Sequence, residues 1–275
     1  MLNLPQYTAW DISKESKLLI TDASSRLELD LRSKKSDKVS LTIEKSKEAH
    51  ICFGFSDSDE GSLDLTLDLK EGSHLKVFRY GTPGSHFEHG LQGKIASGAS
   101  LEIFELFAKP KDGKIKSNVD LSGEGAEYTI HSYTDLDDNT MNHQGLVRHL
   151  VPNTFSNQQH RFCLDGASKG NYEGDVFIEE GSSGVRANQL NQNLVLHPDS
   201  RMHTKPQLQI FHDDVKCTHG ATITQPNPQQ LFYLNSRGIS PSKAMDLLRQ
   251  SFKEVIMNSC HAPEVLQKVQ ASFGV

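Results

Sequence analysis

Cysteine, tryptophan and long apolar runs are all scarce in this chain. It has one tryptophan and four cysteines in 275 residues. Cys52, Cys163, Cys217 and Cys260 are scattered singly. With no Cys-x-x-Cys pair and no dense cysteine framework, neither a closed four-ligand metal site nor a disulfide scaffold is encoded. No stretch approaches the roughly 18 apolar residues of a membrane-spanning helix, and no N-terminal apolar run reads as a signal peptide. Positive charge is not in surplus either: the net charge is −6. That argues against general nucleic-acid binding, which needs a basic face. A soluble, cytoplasmic protein with a sizeable buried core is expected.

The usual catalytic signatures are also missing. Gly90-Leu91-Gln92-Gly93-Lys94 lacks the glycine spacing of a phosphate-binding loop, and Ile95 stands where Ser or Thr would bind Mg²⁺. It reads as a turn. No Gly-x-Ser-x-Gly elbow occurs. Asp213 and Asp214 are adjacent on a strand pattern, so they point to opposite faces and do not converge on a substrate. Asp135, Asp137 and Asp138 read as an acidic turn, and His86-x-x-His89 as a surface loop between Gly84 and Gly90.

What the chain does have is alternation. Leu27 to Leu31, Val39 to Ile43 and Leu63 to Leu69 place apolar residues at every second position, the mark of a strand with one buried face. Similar runs follow to Tyr133. Gly-containing turns such as Glu71-Gly72-Ser73 and Ser97-Gly98-Ala99 separate them. The loose repetition suits a stacked solenoid, in which each rung buries its face on the next, although a sandwich or jelly roll shows similar strands. Residues 140 to 206 are polar for a core and read mainly as solvated strand faces and turns. Past Pro226 and Pro228 the period changes. A short helix is expected over Gln229 to Arg237 with Gly238 as its stop. Ser240-Pro241 then starts an amphipathic helix of about four turns carrying Ala244, Leu247, Leu248, Phe252, Val255 and Ile256. A further helix start falls at Ala262-Pro263. The expected organisation is an N-terminal lead-in over 1–17, a strand domain over 18–225 and a helical region over 226–275.

The one closely spaced Cys/His pair lies in Asp213-Asp214-Val215-Lys216-Cys217-Thr218-His219-Gly220-Ala221-Thr222. Period two puts Cys217 and His219 on one face, roughly 7 Å apart. Thiolate and imidazole both ligate Zn, Cu or Fe, but two ligands do not close a tetrahedral site. The pair is therefore either structural or half of a site that something else completes.

That stretch, followed by Leu231-Phe232-Tyr233-Leu234-Asn235-Ser236-Arg237-Gly238-Ile239, resembles the C-terminal signature of the SufB/SufD family. These are scaffold subunits of the SUF iron–sulfur cluster assembly machinery. The likeness extends through His160, Lys169, Tyr172-Glu173-Gly174 and Gln189-Leu190-Asn191-Gln192-Asn193-Leu194, over about residues 143 to 257. It is closer to the SufD type. SufB-type chains carry a cysteine where this chain has Asn191, and a glutamate where it has Gly220. The resemblance implies a mainly β fold, a right-handed parallel β-helix with C-terminal helices. It implies a non-enzymatic subunit that meets a SufB-type partner at His219, with Cys217 second, and docks a SufC-type ABC ATPase through the C-terminal helices. Arg237, Gly238, Leu247, Leu248, Arg249 and Phe252 are the residues expected to carry that docking. No cofactor is expected in the isolated chain, only a transient iron–sulfur cluster in the complex. Two departures stand out. SufD-type chains usually carry a helical region before the β-helix, which this chain lacks, and Ile223-Thr224-Gln225-Pro226 replaces a stretch that usually holds a glycine. The alternatives are a β-helix carbohydrate-active enzyme or acyltransferase, and a self-associating homodimer that binds metal at a symmetric site.

Overall fold

The computed structural model describes residues 8–9, 16–20, 25–30, 37–55, 62–84 and 87–260. Tyr7, Trp10, His86 and the helix start at Ala262 lie outside them. The first strands in chain order are β1 (Thr8–Ala9), β2 (Ser16–Ile20), β3 (Ser25–Asp30), β4 (Asp37–Ile43), β5 (Glu48–Phe55) and β6 (Ser62–Leu69). Next come β7 (His74–Gly81), β8 (Phe87–Ile95), β9 (Ser100–Ala108), β10 (Gly113–Leu121), β11 (Glu127–Asp137) and β12 (Thr140–His149). The series ends with β13 (Phe155–Asp165), β14 (Lys169–Ile178), β15 (Val185–Val195), β16 (Arg201–Ile210) and β17 (Val215–Thr224), then helices α1 (Pro228–Ser236) and α2 (Pro241–Met257).

Odd-numbered strands form one parallel sheet and even-numbered strands the other. Successive strands therefore alternate between sheets, and each rung stacks in register on the one before. Leu75 pairs with Leu101, which pairs with Tyr128. This is the parallel β-solenoid that the alternation and the family resemblance led us to expect. The true repeat is one rung of two strands, 26 to 32 residues from β4 onward, as in His74↔Ser100 and Lys169↔Arg201.

The corners explain the recurrent glycines. Gly72, Gly98 and Gly125 have φ of 64°, 62° and 73°, a left-handed conformation that costs glycine nothing. Two of these corners bond to the next rung, Gly72 N–H to Ser97 O at 2.9 Å and Gly98 N–H to Glu124 O at 2.9 Å. The pattern is strict in β6, where Leu63, Leu65, Leu67 and Leu69 are buried between more exposed Asp64, Thr66 and Asp68.

The interior changes character along the axis. The early rungs are filled by Val39, Leu41, Ile51, Leu65, Val77 and similar side chains in one apolar cluster. From Arg79 onward a polar stripe runs along the lumen between apolar clusters that continue to Val195. Arg79 and Glu105 are fully buried and ion-paired. His89, His143, Gln158, His160, Gln189, Asn191 and Asn193 are all buried. The polar segment from 140 to 206 is thus partly interior, not mainly solvated surface. Other readings also change. Gly90 to Lys94 is the middle of β8 and not a turn, and His89 is a buried residue of that strand. Asp135 is buried in β11, and Asp213 and Asp214 precede β17 instead of lying on it.

The odd-numbered sheet has a second apolar face, outside the lumen. Phe78, Phe104, Leu106, Tyr133, Cys163 and Leu194 form a cluster there with Ile256, Met257 and Cys260. α2 supplies two of those residues, so the helix lies over this sheet. Among the described residues no helix is long and apolar enough to cross a membrane.

Candidate functional site at the open end of the solenoid

β16 and β17 are the last strands of their sheets. Each pairs on one side only, β16 with β14 and β17 with β15. Among the described residues nothing covers their other edges. The rim is largely polar but carries two exposed apolar side chains, Phe211 at 59% and Ile223 at 51%. Two ten-residue parallel edges with unpaired N–H and C=O groups form a template for another chain.

The register shows what this end displays. Cys217 stacks on Ala187, His219 on Gln189, and Ala221 on Asn191. Ala187, Gln189 and Asn191 face the lumen and are buried. Cys217 and His219 therefore lie on the lumen side of the terminal strand, on one face as period two requires. Their environments differ. Cys217 is half-buried and packs on the cluster of Val176, Ile178, Val185 and Ala187. Burial pushes its thiol above the usual value, partly offset by a backbone bond from Ala187. A protonated thiol is a poor ligand. His219 is exposed at the mouth.

Behind His219 runs a row of uncharged polar groups drawn from both sheets. The His143 and His160 rings meet across the lumen with centroids 4.5 Å apart, and Tyr172 lies 4.8 Å from His160. Thr204 donates to Asn191 Oδ1 at 2.7 Å, and Asn193 donates to the same oxygen at 2.6 Å. Desolvation holds His160 down at about 3 and His143 well below its ordinary value. Desolvation also raises the Tyr172 phenol, although its contact with Gln189 works against this. All of these groups are neutral at physiological pH. The signal missed in the sequence was their position in register. Asn, Gln and His in a strand look solvated until their partners, some 30 residues away, are known. No group of three or more His, Cys, Asp or Glu among the described residues is placed to share a metal ion.

The C-terminal helices form a second feature. In α1, Asn227 caps the N-terminus by accepting from Gln229 N–H at 2.9 Å, ahead of Pro228. Gly238, with φ of 85°, ends it. α1 has no buried residue, and Phe232 is 75% exposed. Arg237 lies over the Tyr233 ring at 5.3 Å. In α2, Leu247 is exposed and Leu248 half-buried. Arg249 and Phe252 turn toward the sheet. Arg249 pairs with Asp135 at 3.3 Å and with Asp165. Phe252 packs beneath the Arg161 guanidinium at 4.7 Å and edge-on to Tyr133.

The profile of a protein family described as SUF system FeS cluster assembly, SufBD core domain, matches residues 31–252. The chain is 26% identical to the iron-sulfur cluster assembly protein SufD of Escherichia coli (strain K12) over 213 residues, which is 76% of this chain and 50% of that protein. It is 40% identical over 107 residues to an iron-sulfur cluster assembly SufBD family protein of Synechocystis, covering 39% of this chain and 24% of the relative. A SufBD family protein of Mycobacterium tuberculosis is 32% identical over 173 residues, 60% of this chain and 20% of its own length. The chain spans half or less of the length of these curated relatives.

Proposed function

Because the chain belongs to the SufBD family of the SUF iron–sulfur cluster assembly system, we propose that it serves as a non-catalytic, SufD-like scaffold subunit whose open solenoid end meets a SufB-type partner. The observation that carries this reading is the placement of His219. It stands exposed, at the mouth of the lumen, on a strand whose free edge, beside exposed Phe211 and Ile223, calls for a cover. A site with one imidazole is incomplete within one chain, and a partner thiolate across the junction would add the second ligand, the cluster's own sulfide supplying the rest. The neutral imidazole either ligates iron or takes the proton of the partner thiol. The iron–sulfur cluster is the cargo of this assembly, built there and passed on. Cys217, packed and protonated, supports the strand.

The decisive experiment is cluster formation in the complex reconstituted with SufB-type and SufC-type partners. His219→Ala is expected to leave the complex intact and to abolish cluster formation, whereas Cys217→Ser retains most of it. A wild-type yield with His219→Ala removes His219 from the mechanism. The same end could also pair with a second copy of this chain. Sedimentation of the isolated chain reads that directly, and a tight homodimer that excludes the SufB-type partner overturns the heteromeric reading.

The exposed face of α1, with Phe232, Tyr233 and Arg237, together with Gly238 and Leu247, is the surface proposed to receive a SufC-type ATPase. Leu248, Arg249 and Phe252 contribute by holding α2 in place beneath it. Arg249→Glu would face Asp135 and Asp165 with a like charge, so it tests helix attachment more than docking. Phe232→Ala with Arg237→Glu addresses the surface itself.

A further inference from the structure

We propose that Gln189 is the positioning residue for His219: its side-chain oxygen accepts the imidazole N–H, fixes one ring tautomer and aims the bare nitrogen out of the lumen mouth. The inference rests on the reading of His219 given above but makes a separate claim about the free chain.

Three observations carry it. First, Gln189 is the direct in-register neighbour of His219, and Gln158 lies one rung further in. In-register residues on paired parallel strands stand about 4.8 Å apart, within reach of a side-chain hydrogen bond. Second, Gln189 is 2% exposed, yet neither the oxygen nor the nitrogen of its amide has a hydrogen-bond partner among the described residues. A buried amide oxygen left without a donor costs about 1–3 kcal/mol. The ring N–H of His219, one strand above, is the donor that the register supplies. Third, the nitrogen end of the amide lies inward. It and the Tyr172 hydroxyl both approach Gly174, where a Cβ would collide with both atoms. Gly174 thus leaves room for the amide, its nitrogen lies on the Tyr172 side, and the oxygen is the end free to turn toward the mouth.

The chemical consequence follows from the imidazole. A neutral ring has one N–H and one bare nitrogen, and a hydrogen bond to the N–H decides which is which. Metal-ligating histidines typically have their second nitrogen fixed in this way by a neighbouring oxygen. An unanchored His219 would divide its population between tautomers and rotamers, and only part of it would present the correct nitrogen to a partner thiol or iron.

The test is the ¹⁵N chemical-shift pattern of the His219 ring in the intact, uncomplexed chain at a pH where the ring is neutral. The wild type should show one dominant tautomer. Gln189→Leu, which removes the acceptor at similar volume, should give a mixture of both. Gln189→Met is the second variant should Leu impair folding, since its flexible chain fills the same space. A mixed population in the wild type, or an unchanged single tautomer in a folded Gln189 variant, overturns the proposal. A merely structural role for Gln189 would shift the melting temperature without moving the tautomer ratio. In the reconstituted complex, loss of the lock should slow cluster formation several-fold without weakening subunit association. If His219→Ala leaves cluster formation untouched while the tautomer lock is seen, the scaffold mechanism fails and the Gln189 contact stands.

Discussion

At the residue scale, the Cys217 and His219 pair was legible because period two needs only two residues and one strand. Gln189 was not, because its importance depends on a neighbour 30 positions later, and only the register brings the two together. The lumen is tight where this happens, which gives a direct check. Gly174 is buried in β14, opposite Gln189, and a methyl group there would strike the Gln189 amide and the Tyr172 hydroxyl. Neither is the loose end of an exposed chain, so the strain cannot be shed into solvent. Gly174→Ala should therefore lower stability by about 1–3 kcal/mol, the usual cost of overpacking. Chemical denaturation measures this, and Gly98→Ala separates the two roles of glycine. At Gly98 a Cβ meets nothing within 4 Å, so that variant suffers only from its φ of 62°. Equal stability of Gly174→Ala and the wild type would mean that the lumen is looser than described.

At the element scale, α2 is attached by charge as much as by apolar contact. Ala244, Ile256 and Met257 are its buried residues. Between them Arg249 reaches Asp135 and Asp165, on β11 and β13. Burial raises the Asp135 carboxyl, and Arg249 works against that rise. Arg249→Ala would leave Asp135 nearly buried beside no cation. The expected loss is about 2 kcal/mol, below the 3–5 typical of a fully buried pair because Asp165 is more than a third exposed. The loss should be local. Amide exchange should speed up across residues 244–257 and stay unchanged in β9 and β11. Unchanged protection of α2 would show that its apolar face alone holds it. Both helices were readable in the sequence, since Pro228, Gly238, Ser240 and Pro241 are local signals. The direction Arg249 faces was not readable, because its partners are 114 and 84 residues away. The interior position of the polar side chains after Thr140 was hidden for a related reason. His143, Gln158, His160 and Gln189 take inward places among apolar residues, so the strict alternation that marks β6 is broken there.

At the scale of the whole molecule, a buried polar stripe runs along the lumen between apolar clusters, and its histidines set the response to acid. His89, His143, His149 and His160 are buried, and burial lowers each of them, His149 to about 4 and His160 to about 3. His149 is held by Thr154 and Ser156 hydroxyls at 2.7 and 2.9 Å, a pair that suits the neutral ring. In the unfolded chain these rings titrate near 6.5. Between that value and the folded values the unfolded state binds more protons, so stability rises with pH there. The stabilisation is complete above about pH 6.5 and is lost as the pH falls toward 4. At pH 5 His149 and His160 should each cost about 2 kcal/mol, and His89 and His143 act in the same direction. Asp135, whose carboxyl is raised, works in the opposite direction, but it is one group against four. The expected result is a melting temperature that is flat from about pH 8 to 7 and falls below about 6. Replacing His160 with glutamine, a neutral side chain already used by its rung neighbours, should flatten the acid limb if the variant folds. A melting temperature unchanged down to pH 4.5 would show that the polar rungs accept protons without opening, and would make the lumen a hydrated channel instead of a closed core.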